Sequence, residues 1–244
     1  MTTFSAVLTA QLRTNPGRPL VTYYDEVSGE RVELSVTTYA NWVAKASSLL
    51  VDEHDLERGS RLRIDLPPHW LSVVFLGAAW NAGLVVTDAD DPDAVVCGPA
   101  SLERWAPGAA SRPTLACSLL PLGVRFADPL PMDVHDVGLE VWGQPDGWSP
   151  WDPPTGDDPA TAWGTEVITQ AEMWAVAAGA SLSRGDRLIS EADPASPPGT
   201  ASFCEPLSCG GSLVLVAHAT PDRLEAISIA EQVTKRFPRR DHQD

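Results

Sequence analysis

The amino-acid sequence predicts an α/β protein with a layered, mostly parallel sheet and an amino-terminal hairpin. Apolar residues make up 43% of the 244 residues, which is enough to bury a core. Short apolar runs of strand character alternate with longer runs of helical periodicity, as expected where helices connect parallel strands. Neither half of the chain holds many strands, so we expect one compact unit rather than two independent ones.

The first fifty residues predict a helix, a hairpin and a second helix. Segment 3–12 has an apolar face and begins at a threonine suited to capping. Two apolar stretches at 20–24 and 31–34 flank a turn, in which Gly29 is free to take a positive φ. The apolar stripe over 38–51 has the period of an α-helix.

A strand, a buried helix and another strand follow. Residues 61–66 alternate between apolar and polar side chains, which predicts a strand. The prolines at 67–68 are tolerated in the first turn of a helix. That helix is apolar nearly all round over 70–82, so we expect it to be buried. Gly83 can end it in the left-handed conformation, before a short strand at 84–86.

The middle of the chain carries weaker signals. An acidic loop at 88–93 precedes a strand candidate at 94–97, and 115–126 predicts one or two more strands. Segment 144–164 contains five prolines and is the best linker candidate. Its tryptophans argue that it packs on the rest of the protein: Trp148, Trp151 and Trp163.

The last eighty residues again predict regular structure. Thr169 and Glu172 fit a capping box at the start of a helix. Further elements are a strand at 188–189, a helix at 202–208, a strand at 212–217, a helix at 220–233 and a charged, loose tail. We therefore divide the chain into 1–143, a linker at 144–164, a second portion of the same unit at 165–234, and a tail at 235–244.

Composition excludes several classes of function. The formal net charge of −16 disfavours binding to nucleic acid or to an anionic membrane surface. No apolar run reaches the roughly 18 residues of a membrane span, and residues 1–13 lack a secretory signal, so we expect a cytoplasmic protein. Four cysteines do not make a disulfide scaffold in a chain of this length. Arginine far outnumbers lysine, a bias that indicates a high-GC bacterial genome.

The metal-site candidates are weak, and we predict no metal. The acidic loop 88–93 could bind a hard cation, but it lacks the glycine and the terminal glutamate of a helix-loop-helix calcium site. A solvated loop is the favoured interpretation. Cys204 and Cys209 have no zinc-type spacing and are interpreted as buried thiols.

The sequence also lacks a recognisable nucleophile. It has no Gly-x-Ser-x-Gly motif. His69 begins an apolar helix and His218 ends the most apolar strand, and a structural role is favoured for both. His218 is the more interesting of the two, because strand ends in open α/β sheets bind ligands. Gly210-Gly211 precedes a strand, whereas a phosphate loop follows one.

Several short segments, taken together, resemble a known family. They are Leu34-Ser35-Val36, Arg58-Gly59-Ser60-Arg61-Leu62, Leu66-Pro67-Pro68-His69-Trp70, the stretch 79–86, and then 168–172, 184–188 and 205–214. In this order they resemble the amino-terminal region of adenylate-forming, AMP-binding enzymes such as acyl-CoA synthetases. The sequence looks like a truncated and degenerate relative, similar to short proteins of high-GC bacteria that have no assigned activity.

The resemblance implies an ATP-phosphate loop just before the capped helix, a position that this chain fills with 158–167. That stretch has one glycine and no lysine, and Glu166 would repel a triphosphate where the family has a cation. Thr161 and Thr165 are the remnant cofactor-binding positions. The family's adenine and ribose motifs and its catalytic lysine have no counterpart in this sequence. We therefore predict no catalytic residues and no cofactor.

The resulting functional hypothesis is a pseudoenzyme that acts by binding or interaction. Two alternatives stay open: an adenylate-forming ligase completed by a partner chain, and a small-molecule module with a remnant acyl pocket. Strand 212–217 suits burial on both faces, and the helix after it covers one face at most. We therefore expect association, as a homo-oligomer or with another protein, unless the linker tryptophans cover the other face.

Overall fold

The computed structural model describes residues 2–238 as two mainly parallel sheets with helices packed on them. The strands are β1 (Pro19–Asp25), β2 (Glu30–Ser35), β3 (Arg61–Asp65), β4 (Val85–Thr87), β5 (Ala94–Cys97), β6 (Thr114–Ala116), β7 (Val134–Asp136), β8 (Pro159–Trp163), β9 (Glu166–Thr169), β10 (Arg187–Ser190), β11 (Ser212–Ala217) and β12 (Lys235–Phe237). The helices are α1 (Phe4–Thr14), α2 (Val36–Ser48), α3 (Trp70–Ala82), α4 (Leu102–Trp105), α5 (Val137–Glu140), α6 (Gln170–Ala178), α7 (Thr200–Cys209) and α8 (Pro221–Ala230).

The smaller sheet joins the two ends of the described chain. Its strand order is β12-β10-β11-β1-β2, and every pair is parallel except the hairpin β1–β2. Gly29 in that hairpin has a φ of 74°, as the turn prediction requires. The predicted amino-terminal hairpin is therefore confirmed, and its first strand pairs directly with β11.

The larger sheet has the order β7-β6-β5-β3-β4-β8-β9. Its pairs are parallel apart from the antiparallel edge pair β8–β9. Helices α2 and α3 lie between consecutive strands along the chain, as the alternation of patterns predicts. The predicted α/β class with mostly parallel sheets is confirmed.

Helix α3 is buried on all sides, as its uniform apolarity predicts. Twelve of its thirteen residues are buried, and it contacts α1, α2 and strands of both sheets. Gly83 ends it in the left-handed conformation at φ 77°. The predicted start was wrong by one turn, because Pro67 and Pro68 precede the helix and His69 caps it with its imidazole.

Strand β11 is sealed within the chain. Leu213 and Leu215 belong to the main core, whereas Val214 and Val216 lie in a second cluster with Ile227 of α8. One face of β11 packs on the main core and the other packs on the cluster with α8. The expectation that one face would lack a cover was therefore wrong. Any association of this protein must use another surface.

Further features differ from the sequence predictions. Strand β8 lies inside the stretch predicted as a linker, and 115–126 contributes only the end of β6. Strands β7, β9 and β12 were not predicted, and β12 occupies part of the segment expected to be a loose tail. The rest of that tail, 239–244, lies outside the described residues. The division of the chain into parts stays a prediction.

Two of the three linker tryptophans pack on the core. Trp148 and Trp163 are partly buried against it, as their presence in the proline-rich segment predicts. Trp151 is fully exposed and contributes nothing to this cover. Two of its three tryptophan side chains therefore anchor the segment on the core.

The end of α2 changes its winding before the chain turns towards β3. Residues Leu49–Glu53 form a π-helical turn that follows α2 directly, and His54 ends it. Leu49 and Leu50 remain buried in the core within this wider turn. Within residues 2–238 no helix combines the length and the apolarity needed to cross a membrane.

We predict that Gly77→Ala destabilises the protein by about 2 kcal/mol. A Cβ at this position would collide with the hydroxyl of Tyr39 and would lie 2.8 Å from Val43 Cγ2 and 2.9 Å from Phe4 Cζ. This overpacking exceeds the gain of roughly 1 kcal/mol in helix propensity. Urea denaturation followed by circular dichroism measures the difference.

Gly147→Ala is the matched control. Its Cβ would meet nothing within 4 Å, and its backbone is not in the left-handed region. We expect a change of less than about 0.5 kcal/mol there. Equal midpoints for the two variants would contradict the packing described around α3.

Candidate functional site

The position that the family resemblance assigns to a phosphate loop is a tight β-hairpin. Strands β8 and β9 pair antiparallel from Pro159 opposite Thr169 to Trp163 opposite Glu166. Gly164 and Thr165 alone form the turn, with Gly164 at φ 55°. The backbone groups of this stretch therefore serve a strand ladder, in which few amides remain free to converge on an anion.

The two predicted cofactor-binding threonines lie in different environments. Thr161 is 2% exposed and sits in β8 between Val86 of β4 and Ile168 of β9. Thr165 is exposed at the turn. The structure therefore places one hydroxyl inside the sheet and the other in solvent, and their role as phosphate contacts stays a prediction.

Carboxylates dominate the surroundings of the turn. The amide of Gly164 donates to Asp88 Oδ1 at 2.9 Å, and Glu166 is exposed beside it. Asp88 directly follows β4, the strand that pairs with β8. A phosphate approaching this turn would compete with one carboxylate and be repelled by a second.

The rest of the acidic loop is engaged by arginines. Asp91 and Asp93 lie 3.4 Å and 3.3 Å from guanidinium nitrogens of Arg61, and Asp90 lies 2.6 Å from Arg104. The amide of Arg61 also donates to Asp93 at 2.7 Å. These contacts hold the loop as a set of exposed ion pairs.

His69 has a structural role at the start of α3, and part of its ring is unpaired. Its Nδ1 accepts from the amide of Leu71 at 3.1 Å. Its Nε2 lies 3.8 Å from Glu30 Oε2, beyond hydrogen-bond distance, and the ring of Tyr23 packs edge-on at 4.7 Å. Within residues 2–238, His69 Nε2 and Glu30 Oε1 are buried without a hydrogen-bond partner.

His218 lies at the carboxyl end of β11, as predicted, and pairs with Asp25 at the end of β1. Its Nδ1 is 2.8 Å from Asp25 Oδ1, and its backbone has a φ of 59°. Burial opposes ionisation of Asp25, but hydrogen bonds from Ser28, His218 and two backbone amides outweigh it and lower its pKa to about 2. This pair ties the ends of two neighbouring strands together.

A cluster of two histidines and a glutamate escaped the sequence analysis. His54 Nε2 lies 3.1 Å from Glu140 Oε2, and His135 Nδ1 lies 3.0 Å from Glu140 Oε1. Burial and the neighbouring His135 lower the pKa of His54, against the opposing effect of Glu140. Since His54 is distant from the other two in sequence, only the sheet topology brings the three together.

Asp193 is a carboxylate whose pKa is raised by burial. It lies in the loop after β10 and accepts from the amide of Ala195 at 2.9 Å. Desolvation raises its pKa to about 6, and the charge of Asp65 at the end of β3 adds to the effect. The two carboxylates thus lie near the carboxyl ends of strands from different sheets.

These two sheets and their connections define an acyl-CoA synthetase-like fold. The chain is similar to an acyl-CoA synthetase of Brucella canis, with a TM-score of 0.80 and 17% identity over 96% of this chain and 47% of that one. It is also similar to the amino-terminal domain of FACL13 from Mycobacterium tuberculosis, with a TM-score of 0.73 and 15% identity over 97% of this chain and 62% of that one. Coronafacic acid ligase from Pectobacterium brasiliense gives a TM-score of 0.73 at 13% identity, over 93% of this chain and 47% of that one.

The resemblance inferred from the sequence motifs is therefore confirmed at the level of fold. The chain spans 47% to 62% of the length of these solved structures. No protein-family model matches the sequence. The chain is 35% identical over 239 residues to a TIGR03089 family protein of Mycobacterium tuberculosis, which covers 94% of this chain and 96% of that protein. It belongs to the TIGR03089 family.

We predict that the stability of Asp193→Asn relative to the unchanged protein increases as the pH rises from 4 to 7. The folded-state pKa of about 6 lies above the ordinary value of 3.8. Protonated Asp193 therefore makes its full contribution to the free energy of unfolding below about pH 4. This contribution is lost as the pH rises through 6. Because the side chain is partly exposed, we expect a gain of up to about 2 kcal/mol at pH 7.

Thermal unfolding of both proteins across this pH range measures the effect. Asparagine can keep the hydrogen bond from Ala195, so the loop should retain its conformation. A difference in Tm that does not change between pH 4 and pH 7 would contradict the raised pKa.

Proposed function

We propose that this protein is a non-catalytic member of the acyl-CoA synthetase-like fold that acts by binding rather than by forming adenylates. The observation that carries the proposal is the hairpin β8–β9. The amide of Gly164 in its turn donates a hydrogen bond to Asp88. An anion-binding loop needs several convergent amides or a cation at this point. A cytoplasmic location is part of the same proposal.

The charges around the hairpin support a lack of adenylating activity. Arg58 lies near its start, but its guanidinium nitrogens face Asp158 at 2.7 Å and Asp152 at 3.0 Å. Glu166 and Asp88 add negative charge at the turn. Electrostatic stabilisation of a phosphoryl transition state requires the opposite sign, fixed in place before reaction.

Exposed apolar side chains support a role in interaction. The segment 120–142 carries large apolar residues that are 42% to 86% exposed: Leu120, Leu122, Val124, Met132, Leu139 and Trp142. This segment includes β7, an edge strand of the larger sheet. Apolar side chains concentrated near a sheet edge are typical of a protein–protein contact.

We predict that the protein neither adenylates carboxylates nor binds Mg-ATP. Pyrophosphate exchange with fatty, aromatic and amino acids should stay at background. A ligand at 100 times its Kd stabilises a protein by about 2.7 kcal/mol, or roughly 5–10 °C for a chain of this size. We expect no rise in Tm with millimolar Mg-ATP.

Thr165→Ala is the control for this test, since the residue is exposed and its loss should leave the fold intact. Exchange that persists in this variant would show only that the Thr165 hydroxyl is not required for it. Exchange in the unchanged protein that the variant loses would overturn the proposal in favour of an adenylate-forming ligase. Stabilisation by fatty acids without exchange would favour an acyl-binding module.

We further predict that the protein self-associates at micromolar concentrations through segment 120–142. A double variant, Leu122→Ser with Met132→Ser, should weaken association by about tenfold or more, because it removes two of the most exposed apolar side chains. Sedimentation velocity over a range of concentrations measures the effect.

The matched control replaces two exposed apolar side chains elsewhere, Val176 on α6 and Ile229 on α8. That double serine variant should associate like the unchanged protein. A protein that stays monomeric at about 100 µM, near the upper end of the micromolar range, would contradict self-association. Equal weakening in both double variants would show that the contact lies outside 120–142.

A further inference from the structure

We propose that His54, His135 and Glu140 form a binding site for a divalent transition-metal ion, with zinc the best fit. We call these three residues the HHE cluster. The proposal rests on their geometry and does not depend on the proposed loss of adenylation. The cluster lies at the β7 edge of the larger sheet, whereas the β8–β9 hairpin forms the opposite edge.

Two nitrogen–oxygen pairs of the HHE cluster already have nearly the separation that zinc requires. The imidazole nitrogens of His54 and His135 lie 3.1 Å and 3.0 Å from the two oxygens of Glu140. One ligand atom from each residue lies within 4.8 Å of the other two. Bonds of about 2.0–2.1 Å in a tetrahedron place ligand atoms about 3.3 Å apart, so an ion requires only small side-chain movements.

The chemistry of the donors selects the class of metal. Two imidazoles and one carboxylate suit zinc, cobalt, nickel and copper, whereas magnesium and calcium prefer oxygen ligands throughout. Three protein ligands also leave a fourth position of a tetrahedral ion for water or another small ligand. The site thus has the composition of an open zinc centre rather than a closed structural one.

Each ligand is carried by an ordered element. His54 ends the π-helical turn after α2, and such turns occur frequently at functional sites. His135 lies in β7 opposite Leu115 of β6. Glu140 is the last residue of α5, whose start is capped by Asp136, because that carboxylate accepts from the amide of Gly138 at 2.9 Å.

The HHE cluster combines one buried ligand, held in place by its surroundings, with two ligands that solvent can reach. The side chain of His54 is 7% exposed, which holds its ring in place, whereas those of His135 and Glu140 are 39% and 33% exposed. The rings of His54 and His135 meet edge-to-face, with centroids 4.3 Å apart. A metal ion can therefore reach the ligand atoms from solvent without unfolding α5 or β7.

Glu140 could also hold the two imidazoles by hydrogen bonds alone, and this alternative makes a different prediction. In that case each histidine donates one N–H to a separate carboxylate oxygen, and added metal finds no site with defined stoichiometry. Metal binding, in contrast, replaces both hydrogen bonds and requires both imidazole nitrogens to be unprotonated. Titration with metal separates the two cases.

The test uses the full chain after treatment with a chelator and dialysis. Isothermal titration with zinc chloride should show one ion per chain with a micromolar or tighter Kd. Cobalt should give the intense visible absorption bands of a four-coordinate ion. Glu140→Gln and His135→Ala should each weaken zinc binding by about tenfold or more, since each removes one ligand.

His218→Ala is the matched control, because it removes a histidine from the exposed His218–Asp25 pair and leaves the HHE cluster intact. It should bind zinc like the unchanged protein. Circular dichroism verifies that each variant is folded, and two ligand variants keep the test informative if one of them is not. No binding at up to about 100 µM zinc, or equal affinity in all variants, would overturn the proposal.

Discussion

The burial of α3 is the constraint on which both sheets depend. This helix has no polar face to present to solvent, so the chain must cover it on every side. It contacts β1 of the smaller sheet, β3 and β4 of the larger one, and helices α1 and α2. Gly77 allows α2 and the start of α1 to approach α3 closely, since any side chain at position 77 would overlap Tyr39.

Buried hydrogen bonds convert this non-directional packing into one arrangement. The indole of Trp80 donates to the carbonyl of Ala160 in β8 at 3.0 Å. Gln170, fully buried at the start of α6, donates to the carbonyl of Trp80 at 2.8 Å and accepts from the amide of Phe4 at 2.8 Å. Each of these polar groups would be costly to leave unpaired in the core. The hairpin β8–β9 is therefore fixed to α3 from both of its ends.

This attachment holds the base of the hairpin that occupies the candidate phosphate-binding position. A loop that binds a nucleotide must leave its amides free, but here β8 is held by β4 on one side and by β9 on the other. The Trp80–Ala160 hydrogen bond holds the first residues of β8 against α3, at the end of the hairpin away from its turn. The pairing of β8 with β4 and β9 and the attachment of both ends of the hairpin to α3 are thus parts of one packed arrangement.

Local patterns in the sequence predicted the elements whose cause is local. The uniform apolarity of α3, the capping box of Thr169 and Glu172, and the alternation in β3 depend on neighbouring residues, and the structure agrees with each. Strands β7 and β12 have three residues each, too few for an alternating pattern to be recognised in the sequence. Strand β8 was missed because it begins at Pro159 and follows a stretch rich in prolines and turn residues, which resembles a linker.

The candidate sites likewise divide into those with a local signal in the sequence and those without one. The cap role of His69 follows from its place before an apolar helix, although the two prolines masked it. The HHE cluster had no local signal, because His54 reaches Glu140 only after β3, β5 and β6 have set the position of β7. Contacts of this kind are specified by sheet order, which a single sequence constrains weakly.

The comparison with solved structures separates what the fold conserves from what it leaves free. At 17% identity the backbone still matches over 96% of the chain, since buried positions need only apolar side chains of suitable volume. The two edges of the larger sheet carry no such restriction, because their side chains face solvent or a short turn. One edge is the hairpin β8–β9, whose turn amide donates to Asp88, and the other brings two imidazoles onto a single carboxylate. Since six strand pairings connect these edges through a packed core, a change in chemistry at one edge need not disturb the other.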